Sequence, residues 1–317
     1  MMPQIAVRRR CPLVTSSAQA PPITVAEEVS DALTSGRAVV ALESTLLSHG
    51  LPSGRNLTVA RRLEQAVRDA GAVPATIAVL DGEPLAGLSN EQLERVCAED
   101  LAKLSLRDLG PAVGLGLSGA TTVASTSALA HAAGIGVFGT GGLGGVHLGA
   151  AQTWDVSADL GALGALPTVV VCSGVKSVLD IAATLEVLET NSVPVLGYRT
   201  DDFPAFYLRS SGYPAPWRVD DPATAAKVIS AHRAYSGSGV LVTNPVPEES
   251  EMDKDLHDRL LRGGLDLLAE RGVQGSDVTP VLLEHFHEAS GGVSLDANEA
   301  LVLANVALAA EIAVELA

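Results

Sequence analysis

Aromatic side chains make up only 3% of this 317-residue chain, with two Trp, four Tyr and four Phe. At 47% apolar overall, its core must be built from Ala, Val and Leu. Cysteine is scarce too. Cys11, Cys97 and Cys172 are too few and too scattered for a disulfide framework or a zinc site, which points to a reducing, cytoplasmic setting. Positive charge is in deficit, with 21 Lys and Arg against 37 Asp and Glu and a net charge of −16. That balance excludes nucleic-acid backbones and anionic membranes as partners. An anionic small molecule would have to be held by local cations or helix N-termini against the overall field. Long apolar runs are missing as well. The longest, "LVLANVALAA" (301–310), is about half the length a bilayer requires, and Glu299 and Glu311 flank it. The first 22 residues carry Arg8, Arg9 and Arg10 and no acid, but no apolar stretch of the kind a secretory signal needs. Residues 1–22 are read as a disordered N-terminal extension and 23–317 as a single α/β domain.

What is present is an alternation of apolar runs with amphipathic stretches. Strands are expected at 38–42, 75–80, 134–138, 168–172, 193–198 and 239–243. Helices are expected over 56–70, 121–133, 177–189, 222–235, 254–270, 278–289 and 296–316, with a capping box at Ser89 and Gln92 opening a short one. This order implies an α/β/α layered sandwich with a mostly parallel central sheet. Ligands in such sheets sit beyond the carboxyl ends of the strands, which selects the polar residues to inspect.

The stretch "VFGTGGLGGVH" (137–147) contains the spacing G-x-G-x-x-G at Gly139, Gly141 and Gly144. A dinucleotide site requires that loop to open a long helix. The following "GVHLGAAQTWDVS" has no apolar stripe at helical spacing, so the loop is read as a place where backbone approaches a ligand or turns hard.

Glu43 ends the first apolar strand. It is either a desolvated carboxyl with a raised pKa, as a general acid needs, or a strand-end group in a structural hydrogen bond. Lys176 falls four residues after the strand "TVVVC", at the expected start of the next helix. The chain has 17 Arg and four Lys, so a surviving Lys points to a need for an amine, since guanidinium is no nucleophile. The alternative is a lysine whose stem lies on apolar surface with its ammonium in water. In "AKLSLRDLG", Lys103, Ser105 and Arg107 are able to grip a phosphate, or to form an amphipathic turn paired with Asp108. In "TWDVSADLG", Asp155, Ser157 and Asp159 suit a hydrated Mg²⁺ or Mn²⁺, or an N-cap. Asn298 and Asn305 share a face of the last helix with Val302 and Ala309, so their buried amides must pair with backbone or with a ligand such as a pyrimidine edge.

Nine ordered strings, among them "VVALESTLLSHGLP", "KLSLRDL", "WDVSADL", "VVCSGVKSVLD" and "GGVSLDANEALVLANVALAAEIA", resemble the pseudouridine-5′-phosphate glycosidase family over residues 24–316. The resemblance implies reversible cleavage of pseudouridine 5′-phosphate to ribose 5-phosphate and uracil, with Mn²⁺ or another divalent cation such as Mg²⁺, in a homotrimer. It implies Lys176 as nucleophile, Glu43 as proton donor and Asp155 as metal ligand. It assigns substrate contacts to Lys103, Val123, Ser157, Ala158 and Asp159. Asn298 would lie on the uracil side, and Thr140 and His147 would line the glycine loop. Two other readings use some of the same residues. One is a Schiff-base lyase or aldolase on a phosphorylated sugar, and the other is a nucleotide-binding oxidoreductase or sugar-phosphate binder.

Overall fold

The computed structural model describes residues 23–176, 178–273 and 278–317, so the reading of residues 1–22 lies outside it. The strands, in chain order, are β1 (Thr24–Val25), β2 (Val39–Glu43), β3 (Val73–Leu80), β4 (Glu83–Ala86), β5 (Ala102–Leu104), β6 (Gly119–Thr121), β7 (Val137–Gly139), β8 (Val146–His147), β9 (Val169–Cys172), β10 (Leu179–Asp180), β11 (Val195–Tyr198), β12 (Trp217–Val219) and β13 (Val240–Thr243). All but β8 and β10 belong to one 11-stranded sheet, whose main path runs β1-β4-β3-β2-β7-β9-β13-β11-β12. From β3 through β2, β7, β9, β13 and β11 to β12 every pairing is parallel. Those central strands are buried on both faces, which is why they read as unbroken Val, Ala and Leu runs.

Helices cover both faces. One layer centres on Val293–Leu316, which packs on β2, β7 and β9 and is flanked by Asn56–Asp69 and Pro222–Arg233. That long helix is buried along most of its length, and its exposed positions are at its ends and at Glu311. The other layer contains Val123–Ala132 and Ala158–Ala165. The small-residue composition lets the first layer come close. A Cβ on Gly139 would sit 3.0 Å from the backbone of Val306.

The expected parallel strands and long helices are present within a few residues. The short antiparallel pieces were not anticipated. β4 folds back on β3 through Asp81–Gly82, both at positive φ (51° and 79°), a hairpin turn that the dipeptide Asp-Gly signals. The strand expected at 134–138 instead runs Val137–Gly139, so the first glycine of the loop is part of the sheet. The helix expected from 177 begins only at Ile181, where the Asp180 carboxylate accepts from Ala183 N. Lys176 is therefore in a loop, not at a helix start, because Leu179–Asp180 pairs with Val146–His147 before the helix opens.

Three strand ends are tied together by one buried amide. Asn305, in the long helix, donates from Nδ2 to the carbonyl of Thr140 (2.8 Å) and to Ser173 Oγ (3.0 Å), and its Oδ1 accepts from Asn244 Nδ2 (3.1 Å). Thr140, Ser173 and Asn244 follow β7, β9 and β13 directly. Replacing Asn305 with the similarly sized Leu orphans these groups in a dry interior. The expected result is a loss of about 2–3 kcal/mol, read as a lowered midpoint in denaturant unfolding; a change within error would remove the clamp.

Candidate active site

The site lies where the rule for parallel sheets places it, beyond the carboxyl ends of β2, β7 and β9. Two loops form its floor. The chain leaving β7 (Thr140–His147) runs alongside the chain leaving β9 (Ser173–Lys176), and main-chain bonds join them: Thr140 N to Val171 O (2.9 Å), Ser173 N to Gly141 O (2.8 Å) and Leu143 N to Gly174 O (2.9 Å). Lys176 is carried on the second loop and Glu43 stands at the end of β2 beside the first. Both side chains line the same cavity, together with Lys103.

The glycine loop is closed by its neighbours rather than open to a dinucleotide. A Cβ on Gly142 would meet the Phe206 ring at 2.6 Å, and one on Gly144 would meet the Asp159 carboxylate at 2.7 Å. After it come only the two residues of β8 and the four-residue helix Ala150–Thr153. The long crossover helix of a nucleotide-binding fold is absent at this point.

Glu43 is half-buried at the cavity wall, and its carboxyl is pushed up to about 7. Desolvation is the largest cause. The Thr140 hydroxyl, which donates to Oε1, and the Lys176 and Lys103 ammonium groups pull the other way. Both alternatives read for Glu43 thus hold at once: it makes a structural hydrogen bond and it titrates near neutrality. The two described thiols offer no competing nucleophile, since burial drives Cys172 up to about 12 and Cys97 to about 11.

The remaining residues fall into two groups. Lys103, Ser105, Val123, Ser157, Ala158 and Asp159 line a polar cavity of about 340 Å³ that contains Glu43 and Lys176 at its inner end. His147 and Asp155 are on its wall, with His147 Nδ1 3.7 Å from Asp155 Oδ2. The short helix Ala150–Thr153, not a strand, precedes Asp155. Trp154 adopts a left-handed backbone (φ 57°), Val156 makes a single bridge to Val146, and Ser157 caps the helix Ala158–Ala165 by accepting from Asp159 N. Asp159 is 7% exposed, and its carboxylate accepts from Ala124 N and Gly144 N, both at 2.9 Å. Thr140 is buried beneath Glu43. The two helix asparagines have parted roles: Asn305 is satisfied by backbone and neighbours, whereas Asn298 Oδ1 is buried without a partner and its side chain lines the cavity on the other side of Glu43.

The sequence matches the family described as Indigoidine synthase A like protein over residues 28–315. A pseudouridine-5′-phosphate glycosidase of Salinispora tropica is 55% identical over 291 residues, 90% of each chain. One from Streptomyces griseus is 54% identical, with 92% of this chain and 91% of the relative aligned. The chain belongs to the pseudouridine-5′-phosphate glycosidase family. Among solved structures it resembles the prealnumycin C-glycosynthase AlnA in complex with ribulose 5-phosphate, with TM-score 0.86 and 39% identity over 93% of this chain and 96% of that one. It also resembles an indigoidine synthase A-like protein of Thermotoga maritima, with TM-score 0.85 and 36% identity over 98% and 99%.

Sequence reasoning missed three residues in this glycosidase-family site. Thr45 Oγ1 is buried without a partner, and the side chain lines the cavities on both sides of Glu43. Its position two residues after Glu43 was the available signal. Phe206, held at φ 63°, and Leu283 form apolar walls. Neither lies in a motif, because each contributes only bulk.

Because folding raises the Glu43 carboxyl from 4.5 to about 7, the folded chain keeps a proton that the unfolded chain releases between those values. Stability is thus lost as pH rises through that window, by on the order of 2–3 kcal/mol. Glu43→Gln is expected to melt above wild type at about pH 8 and level with it at about pH 4 in thermal unfolding. An equal gap at both pH values would remove desolvation as the cause.

Proposed function

We propose that the chain reversibly cleaves the C-glycosidic bond of pseudouridine 5′-phosphate, giving ribose 5-phosphate and uracil, through a Schiff base on Lys176. The observation that carries this reading is the Lys176 amine and one near-neutral carboxyl lining a single cavity at the sheet's carboxyl edge, with Lys103 beside them. The name of the curated relatives and the C-glycoside chemistry and sugar phosphate named for the AlnA structure support it.

Breaking a carbon–carbon bond defines what the residues must do. Paired carboxylates, the usual glycosidase apparatus, protonate an oxygen leaving group, whereas here the leaving atom is uracil C5. In our reading Glu43 gives a proton to the ribose ring oxygen as the C1′–O4′ bond opens, and the Lys176 amine bonds to C1′. Glu43, now a carboxylate, takes the proton that the attached nitrogen sheds and hands it to uracil C5. The bonding pair of C1′–C5 passes into the pyrimidine, and the nitrogen lone pair forms the imine to C1′. Water hydrolyses that imine, releasing ribose 5-phosphate and the free amine. Lys103 and Ser105 hold the phosphate, while the Val123 and Ser157–Asp159 backbone contacts the sugar. Thr140 holds the Glu43 carboxyl, and His147 lines the loop. Asn298 meets the base.

A divalent cation fits the polar cavity at Asp155. Among the described residues no group of three metal-binding side chains occurs, so Asp155 with its His147 neighbour suits a Mn²⁺ or Mg²⁺ that keeps most of its waters. Bound there, it would neutralise substrate oxygen charge. We further read the enzyme as cytoplasmic and as a homotrimer.

The test is release of uracil from pseudouridine 5′-phosphate. Wild type should turn over, and Lys176→Arg should lose at least about a thousandfold despite keeping its charge. Turnover should fall as pH rises above about 7, where Glu43 loses its proton. Exhaustive chelation should stop it and Mn²⁺ restore it. Retained turnover by Lys176→Arg would exclude the imine, and full activity after chelation would exclude the metal.

A further inference from the structure

The polar cavity and the apolar one meet at Glu43, Thr45, Lys103 and Lys176. The apolar cavity does not end at the base position. It opens past His49, Leu283 and Asn298 into a third space of about 450 Å³, within the usual size of small-molecule sites. Leu51, Tyr207, Val281 and Leu295 line that space. It shares none of its lining with the polar cavity, so the chemistry is placed between two separate openings.

The two openings differ in charge. The polar one presents Lys103 and Arg107. The other has no Lys or Arg among its described lining residues and carries Glu284, so a sugar phosphate meets no fixed cation there and one repelling carboxylate. Two of its polar side-chain atoms lack partners. Asn298 Oδ1, at the inner end, and His287 Nδ1, on the wall, are both buried without hydrogen-bond partners. Apolar walls with a few unsatisfied hydrogen-bonding groups suit an uncharged, amide-bearing heterocycle.

Resting on the function proposed above, we infer that this third space is a separate passage for the free base, entered and left independently of the sugar phosphate, with Leu283 at its narrow point. The base is thereby able to depart and return while the sugar remains bound at Lys176. The enzyme therefore exchanges free base with its bound sugar without releasing ribose 5-phosphate.

The experiment follows labelled uracil into pseudouridine 5′-phosphate in the presence of ribose 5-phosphate. Leu283→Trp, which fills the neck, should slow exchange by about tenfold or more. Ribose 5-phosphate should still raise that variant's melting temperature as it does for wild type. Val281→Ala, which lies outside the catalytic cavity and cannot obstruct, should exchange at least as fast as wild type. Val281→Trp, further out on the same wall, serves should Leu283→Trp not fold. Unchanged exchange in the folded Trp variants overturns the passage, as does loss of the ribose 5-phosphate shift in step with exchange. Wild type that binds ribose 5-phosphate but exchanges no uracil overturns the glycosidase reading itself, a result distinct from either.

Discussion

A desolvated carboxyl group beside two ammonium groups governs the design of this site. Glu43 would ionise readily if it were solvated, and two nearby lysines favour its charge, yet desolvation prevails and holds it near 7. The sheet makes that balance possible. β2 ends at Glu43 with β3 on one side and β7 on the other, so the side chain is delivered to the edge of a dry layer without having to enter it. Thr140, the first residue after β7, is thereby placed to donate to the carboxyl. A shift of one residue in either strand would turn Glu43 toward the opposite face.

The amine is held by different means. Lys176 is on a loop whose main chain is bonded to the glycine loop at one end and pinned at the other, where Leu179–Asp180 pairs with Val146–His147. The glycines are explained by this contact. Gly142 and Gly144 lack a side chain where Phe206, Asp159 or Ser157 presses in, and the resulting closeness brings Asp159 within reach of two backbone N–H groups. The bonds of Asn305 complete the arrangement from the helical side. Few of these groups touch the cavity, but together they fix where the amine can stand relative to the acid.

Much of this was legible in the sequence. Long apolar strands buried on both faces leave an unmistakable pattern, and the helices between them carry ordinary caps, so the layered parallel fold could be read directly. Glu43 and Lys176 were found because strand ends are where such folds keep their chemistry, and because lysine is so sparse here that each one invites an explanation. The short strands β4, β5 and β6 were not legible, since three or four residues carry too little periodicity. The helix start at Ile181 was misjudged because the pairing of β10 with β8 is a tertiary contact with no local signature. The sequence also could not separate Asn298 from Asn305. Both are buried amides on one face, and only the positions of Thr140 and Ser173 decide which is satisfied.

The most direct measurement is covalent. Incubating the enzyme with ribose 5-phosphate and borohydride, then mapping peptides by mass spectrometry, should find the reduced sugar phosphate on the peptide containing Lys176 and leave Lys103, Lys227 and Lys254 unmodified. An unmodified Lys176, or a label spread evenly over all four lysines, would contradict an amine poised beside Glu43 to capture the opened sugar.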